Sequence, residues 1–350
     1  MIGAEAVDKI TFCAVHALLE VKMLSVTLAC GNYDRTRAIM DGRVRIEGCN
    51  VNYIPLEPEE VFFRAARYEE FDIAELSFNS FILQTSRNES RYVGIPAFVS
   101  RCFRHSMIYV RTDRGIRAPA DLKGRIVGVP EYQMTALVWI RGILEDEYGI
   151  KPSDIHWRSG GQEQPGRKER ARIDLPKEID LQPIPPGETL SAMLLEGKLD
   201  AVMTARAPSC FLNEAPNINR MFPNHREVEK DYYRRTGLYP IMHLIGIRKS
   251  LAEQYPWLPS SVHKAFVQAK AAAIADLRTL AAPTLILPWT EAETLETMAL
   301  MGKDFWRYGV MENLREIETL ARYSHRQGIA ERIVPTEEMF APSTFEISRI

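Results

Sequence analysis

The side chains of this chain that could bind an anion or move a proton fall in a few short segments. Arg101-Cys102-Phe103-Arg104-His105 sets two guanidiniums beside an imidazole between two apolar runs. The planar fork of arginine matches a carboxylate, and histidine exchanges a proton near neutral pH. Arg206 stands just before Ala207-Pro208-Ser209, where it could clamp an anion at a hinge edge or form an interlobe salt bridge. His243 opens the apolar run Leu244 to Ile247 and could face core or cleft. Two carboxylates could complete acid–base chemistry. Glu75 lies in Phe71-Asp-Ile-Ala-Glu-Leu-Ser77, a strand that reads as buried. There desolvation would raise its pKa and suit it to general-acid work, unless an arginine neutralises it. Asp34, in Gly31-Asn32-Tyr33-Asp34-Arg35, follows a glycine that permits close backbone approach, and is either a cleft carboxylate or a helix N-cap.

A second group offers hydrogen bonds. In Asp121-Leu-Lys-Gly-Arg-Ile-Val-Gly-Val-Pro-Glu-Tyr-Gln-Met-Thr135 a turn leads into the β-branched run Arg125 to Val129, and Thr135 reads as the N-cap of a helix from Ala136 to Tyr148. Free backbone N–H groups at such a start attract carboxylate or phosphate. Gln133 sits beside it. Ser77, Asn79 and Ser80 begin another helix and can bind a ligand or cap that helix. His156, His225, His263 and His325 read as surface histidines.

The elements that must position these residues alternate. Ser25–Cys30, Val51–Leu56, Phe71–Leu76, Tyr92–Val99, Ser106–Arg111, Arg125–Val129 and Asp200–Thr204 read as strands, with helices at Thr36–Asp41, Glu59–Tyr68 and Leu190–Leu199. The pattern is α/β with two lobes and two hinge crossings: lobe I from residues 23–112 and 205–340, lobe II from 113–204. After Arg248 the chain turns helical, with Asn313 to Gln327 stopped at Gly328; these helices should buttress lobe I. Gly160 to Asp180, dense in arginine, lysine and glutamate, reads as a solvated loop or an oligomer contact more than as a lid.

The 350 residues are 46% hydrophobic and carry a formal net charge of -2, enough for two real cores and no basis for binding nucleic acid or an anionic membrane. No run approaches the roughly 18 apolar residues of a membrane span. Five scattered cysteines lack disulfide or zinc spacing, and no HxxH, P-loop, GxSxG or GxGxxG motif is present, so neither metal nor cofactor is expected. Ile10 to Leu19 could pass for a signal-peptide core and Leu28-Ala29-Cys30 for a lipoprotein box. Glu20 and Lys22 interrupt the first, and Thr27 replaces the leucine of the second. A cytoplasmic protein is expected, with residues 1–22 an extension ahead of Met23.

The Asp-Leu-Lys-Gly element resembles that of type II periplasmic-binding-protein folds. Together with Gly31–Arg37, Arg101–Ser106, Pro130–Thr135, Ala205–Ser209 and Asp231–His243, it makes the chain resemble the 4,5-dihydroxyphthalate decarboxylase family from about Met23 to Phe340. The resemblance implies loss of carbon dioxide from a hydroxylated aromatic dicarboxylate, with no cofactor, a small aromatic acid as the binding partner and homo-oligomerisation left open. Direct loss would leave an aryl anion orthogonal to the ring π-system, so ring protonation should come first. The implied roles are His105 or His243 as base at a hydroxyl and Glu75 or Asp34 as acid. Arg104, Arg206 and the Thr135 helix start form the carboxylate clamp, and Tyr33, Asn79, Arg101 and Gln133 supply further substrate contacts. Rival readings are a solute-binding protein for an aromatic acid, or another enzyme of this fold such as a naphthoate-precursor synthase.

Overall fold

A computed structural model describes residues 23–279, 281 and 285–345; the expected extension and signal-like stretch lie outside them. The first sheet has the order β2 (Cys49–Pro55), β1 (Leu24–Cys30), β3 (Ile73–Ser77), β11 (Ile241–Arg248), β4 (Tyr92–Arg101). Its first three strands are parallel, while β11 runs antiparallel to both β3 and β4. Leu28, Ala29, Cys30, Ile73 and Ala74 are fully buried, as central strands covered on both faces must be. The parallel strands are linked by α1 (Asp34–Met40) and α2 (Pro58–Tyr68), and α3 (Phe78–Ser86) follows β3 directly.

The second sheet has the order β10 (Ile218–Arg220), β5 (Ile108–Arg111), β9 (Ala201–Met203), β6 (Ile126–Val129), β7 (His156–Ser159), β8 (Leu181–Pro183). The chain therefore crosses between sheets after Arg101 and again between Arg220 and Ile241, instead of at the expected boundaries of 112 and 205. The reason is backbone pairing: β5 hydrogen-bonds to β9 and β10, and a three-residue edge strand such as β10 shows no alternation in sequence.

The segment that follows β6 and the Pro130–Met134 turn becomes α4 (Thr135–Tyr148). The short helices α5 (Leu190–Leu195), α6 (Ser209–Leu212) and α7 (His225–Thr236) attend the second sheet and the return crossing; α8 (Lys249–Gln254) follows β11. Of the later helices α9 (Leu258–Asp276), α10 (Thr290–Met301), α11 (Leu314–Arg326) and α12 (Thr336–Met339), α9 packs on α1 and β4 as expected, whereas α11 lies against both α3 and α4. Ile317, Leu320, Ala321 and Ser324 form its buried stripe. Tyr323 packs on Gly142 of α4, where a Cβ would fall 2.2 Å from the ring, and its hydroxyl donates to Asp146 at 2.6 Å. Gly328, at φ +74°, ends the helix in the left-handed conformation. The C-terminal helices thus clasp both halves of the molecule. His263, expected at the surface, is buried in α9.

Candidate active site

A cleft of about 250 Å³ opens where β1, β3 and β6 end and α4 begins, the usual ligand position at the carboxyl ends of parallel strands. It falls below the roughly 300 Å³ at which drug-sized pockets begin, leaving room for one substituted ring. His243 forms part of its floor. The side chain comes from β11, opposite Ser77 of β3 and Ser100 of β4, and the β11–β4 register shifts on each side of it. Neighbours in a regular strand point to opposite faces, yet both Met242 and His243 line the cleft; the irregular ladder re-aims them. The disrupted stretch of β4 is satisfied elsewhere: the carbonyls of Pro96, Phe98 and Val99 accept from Gly309 N–H, the Trp306 indole and Arg35.

Behind His243 lies Glu75, wholly buried. Its carboxylate accepts from His243 Nδ1 at 2.6 Å, Tyr33 Oη at 2.8 Å, the Gly31 N–H at 2.9 Å and Cys30 Sγ at 3.4 Å. Burial pushes the Glu75 pKa upward, but the hydrogen bond and charge of His243 and the Gly31 and Tyr33 donors outweigh it, holding the group below the usual carboxylate range. This corrects the expectation of a raised-pKa acid: Glu75 is an ionised acceptor that orients His243. Because it can only accept, Nδ1 donates, and Nε2 is left toward the cleft. Phe62 packs edge-on against the ring at 4.8 Å. Gly31 is required where it stands, since a Cβ would lie 2.5 Å from the Tyr33 ring. Burial and the Glu75 charge push the Tyr33 phenol well above its ordinary pKa, keeping it a donor. The Leu28-Ala29-Cys30 stretch is the buried end of β1.

Arg104 enters from the β4–β5 crossing. It is buried, lines the cleft, and makes one hydrogen bond, from Nε to the thioether of Met242 at 3.1 Å. No carboxylate among the described residues forms an ion pair with it, and desolvation pushes its pKa down. A buried charge without a partner is costly, and the cleft is where its counter-ion can sit.

The opposite wall is the start of α4. Its cap position is Met134, not Thr135, and no side chain caps it. The Thr135 hydroxyl instead meets Ser77 Oγ at 3.0 Å and accepts from the Asn79 N–H at 3.0 Å, joining the helices of the two halves. The backbone N–H groups of Thr135 and Ala136 find no acceptor within the described residues, so two free donors stand at the helix start, and its cap is not the expected one. Gln133 lines the cleft, accepting from Ser80 at 2.9 Å and donating to Glu131 at 3.0 Å.

The segment between β7 and β8, expected to be solvated, crosses the cleft as a strap. Its Arg167 bonds buried Glu131 at 2.6 Å and Glu59 of α2 at 3.1 Å; its Arg170 reaches the same two carboxylates at 3.1 and 3.2 Å. Between them Glu169 accepts the Tyr132 and Gln133 N–H groups, and burial, with the nearby Glu131 charge, pushes it up to about 7. Glu59, Glu131 and Arg170 all line the cleft. Sequence reasoning missed all three: Arg170 because charge without apolar periodicity reads as a solvated loop, and Glu59 and Glu131 because a carboxylate at a helix start or in a strand-to-helix turn looks like any solvated one.

No protein-family model matches the sequence. Over 327 residues, 93% of this chain and 99% of the relative, it is 44% identical to the 4,5-dihydroxyphthalate decarboxylase of Comamonas testosteroni. The chain belongs to the 4,5-dihydroxyphthalate decarboxylase family. A second decarboxylase of that name, from Pseudomonas putida, is 46% identical over 211 residues, 60% of this chain and 82% of the relative. The fold is that of solute-binding proteins. The periplasmic aliphatic sulphonate binding protein of Escherichia coli superposes with a TM-score of 0.52 at 12% identity, covering 92% of this chain and 98% of that one. A periplasmic sulfonate-binding protein of Methylobacillus flagellatus gives 0.55 at 13%, covering 93% and 94%.

Several residues expected in the site of this family member lie elsewhere. His105 is buried between Phe222 and Tyr232, at ring distances of 5.5 and 5.1 Å, with both nitrogens unpartnered; desolvation and Arg235 push it down to about 4, and it does not reach the cleft. Asp34 is exposed and pairs with Arg35 at 3.0 Å. Arg101 turns into the C-terminal packing, donating to the Tyr239 and Arg307 carbonyls and to Asn313 near buried Glu316 at 3.7 Å. The Asn79 side chain donates to the Gln133 carbonyl at 2.7 Å and does not line the cleft. Arg206 does, but as a rim residue 66% exposed and 3.7 Å from Glu57. Among the described residues no cluster of three or more His, Cys, Asp or Glu could hold a metal ion.

Proposed function

We propose that this chain converts 4,5-dihydroxyphthalate to 3,4-dihydroxybenzoate and carbon dioxide, with His243 as the proton donor to the ring. The observation that carries the reading is a buried, unpaired Arg104 beside a carboxylate-oriented His243. Arg104 takes the carboxylate that is retained. Because Arg104 contacts Met242, the neighbour of His243, we set the adjacent carboxyl-bearing carbon on the side of Nε2. Each carboxylate is para to a hydroxyl, whose electron density makes that carbon basic. The imidazolium, counterbalanced by Glu75, gives its Nε2 proton to the carbon; the carbon–carboxylate bond then breaks, its electrons restore the aromatic ring, and carbon dioxide leaves the cleft. Solvent returns the proton to His243. In this pose the anchored acid end, not the hydroxyl end, faces the histidine, so His243 takes the acid role in place of the base role expected for it. Tyr33 and Glu75 act by holding the imidazole.

The test is incubation of purified protein with 4,5-dihydroxyphthalate, following both products with and without chelator, and once in deuterated water. Turnover with one deuterium at the vacated carbon is expected. Tight binding without turnover would instead make the protein a binding protein. The enzyme reading places it in the cytoplasm, which fractionation checks.

A further inference from the structure

We infer that Arg170, on the strap, is the specificity-determining residue that reads the second carboxylate of the diacid; this rests on the decarboxylase reading above. Arg104 supplies one uncompensated charge and so accounts for one carboxylate. An ortho-dicarboxylate brings a second, within the same small cavity. Two other arginines line that cavity, Arg170 and Arg206. Arg206 is largely in solvent and already faces Glu57, where water and salt screen it. The Arg170 side chain is 30% exposed and lines the cleft wall.

Its present partners do not need it. Glu131 is held by Arg167 through Nε at 2.8 Å and through its terminal nitrogen at 2.6 Å, and Glu59 by Arg167 at 3.1 Å. Arg170 can therefore turn to a ligand without leaving a buried carboxylate bare, which would be the costly outcome. The charge it offers is partial, because Glu59 and Glu131 remain near. That suits a pole that must select a carboxylate about to leave as neutral carbon dioxide: a full, undiluted cation would stabilise the ground state and resist the reaction. Once the carboxylate is gone, the monoacid product loses this contact.

Calorimetry on the purified protein with phthalate, a diacid lacking the activating hydroxyls, and with 3,4-dihydroxybenzoate tests the assignment. Arg170→Gln should weaken phthalate by about tenfold or more and the monoacid by less than about threefold, with Arg170→Lys partly restoring the diacid. With 4,5-dihydroxyphthalate, Arg170→Gln should raise KM more than it lowers kcat. Arg167→Gln, which loosens the strap without removing the reader, should change both ligands evenly. Equal weakening of both ligands by Arg170→Gln, or none, overturns the assignment while leaving the decarboxylase reading intact. A wild-type protein that neither binds phthalate nor turns over the substrate overturns both.

Discussion

The two walls of the cleft are built by different means. On one side Glu75 and His243 sit on adjacent strands in the middle of a sheet, and Glu75 is fixed by hydrogen bonds at every approach. On the other, Arg167 and Arg170 ride on a segment without strand or helix, partly exposed and sharing the carboxylates of Glu59 and Glu131, with Glu169 between them on the Tyr132 and Gln133 N–H groups. A proton has to be delivered at one atom, and a strand pair holds an imidazole to that accuracy. Recognition of a carboxylate tolerates more movement, and a strap whose charges can exchange partners supplies it. In the proposed reading, rigid chemistry faces adjustable selection across one ring.

The comparison breaks first at His243. His243→Ala should lower kcat by about 10² to 10⁴ while phthalate affinity stays within a few-fold, since general acid–base help is felt where the proton moves. Steady-state kinetics beside calorimetry decides it; unchanged kcat removes the strand-borne wall from the chemistry. Glu75→Gln keeps the shape but loses the anion, and should fall between wild type and His243→Ala in kcat with little change in KM.

Arg101 and Arg104 sharpen the contrast within one short segment. Arg101→Ala removes a guanidinium that serves two backbone carbonyls, Asn313 and Glu316, and should cost about 3 to 5 kcal/mol in denaturant unfolding. Ligand affinity of the folded fraction should be unchanged. Arg104→Met does the reverse: it deletes an unpaired buried charge, so the unliganded protein should hold or raise its Tm while phthalate affinity drops at least tenfold. An Arg104→Met protein that is both less stable and fully able to bind would make Arg104 structural.

These residues also show what the sequence could and could not say. Strands β1, β3 and β6 and the helix after β6 were legible because apolar periodicity and glycine or proline punctuation mark them locally. Glu75 and His243 were legible as exceptions, polar residues inside apolar strands. Their pairing was not, because the contact spans 168 positions and depends on β11 entering the first sheet between β3 and β4. Arg101, Arg104 and His105 carry equal promise in sequence; only the path of the crossing turns the first into the C-terminal packing, the second into the cleft and the third into a core. The strap was lost because ion pairing has no period.

The smallest expected effect concerns Glu169, and it probes whether the strap is a tuned part of the cleft or a passive cover. Its carboxyl is pushed up to about 7 in the folded protein by burial and by the Glu131 charge, against about 4.3 for an unperturbed glutamate. A folded pKa above the unfolded one means that the folded state prefers the proton. The contribution to stability is therefore fully present below about pH 4.3, declines as pH rises toward 7, and is flat beyond. Glu169→Gln keeps a neutral group at the Tyr132 and Gln133 N–H donors at every pH. Thermal unfolding of the two proteins from pH 5 to 8 should show the variant gaining on the wild type as pH rises, by a few degrees at most. Protection of the Tyr132 and Gln133 amides in hydrogen exchange should lose its pH dependence relative to the wild type. Identical pH profiles would mean that Glu169 does not titrate in the strap, and that the closing of this wall is indifferent to its charge.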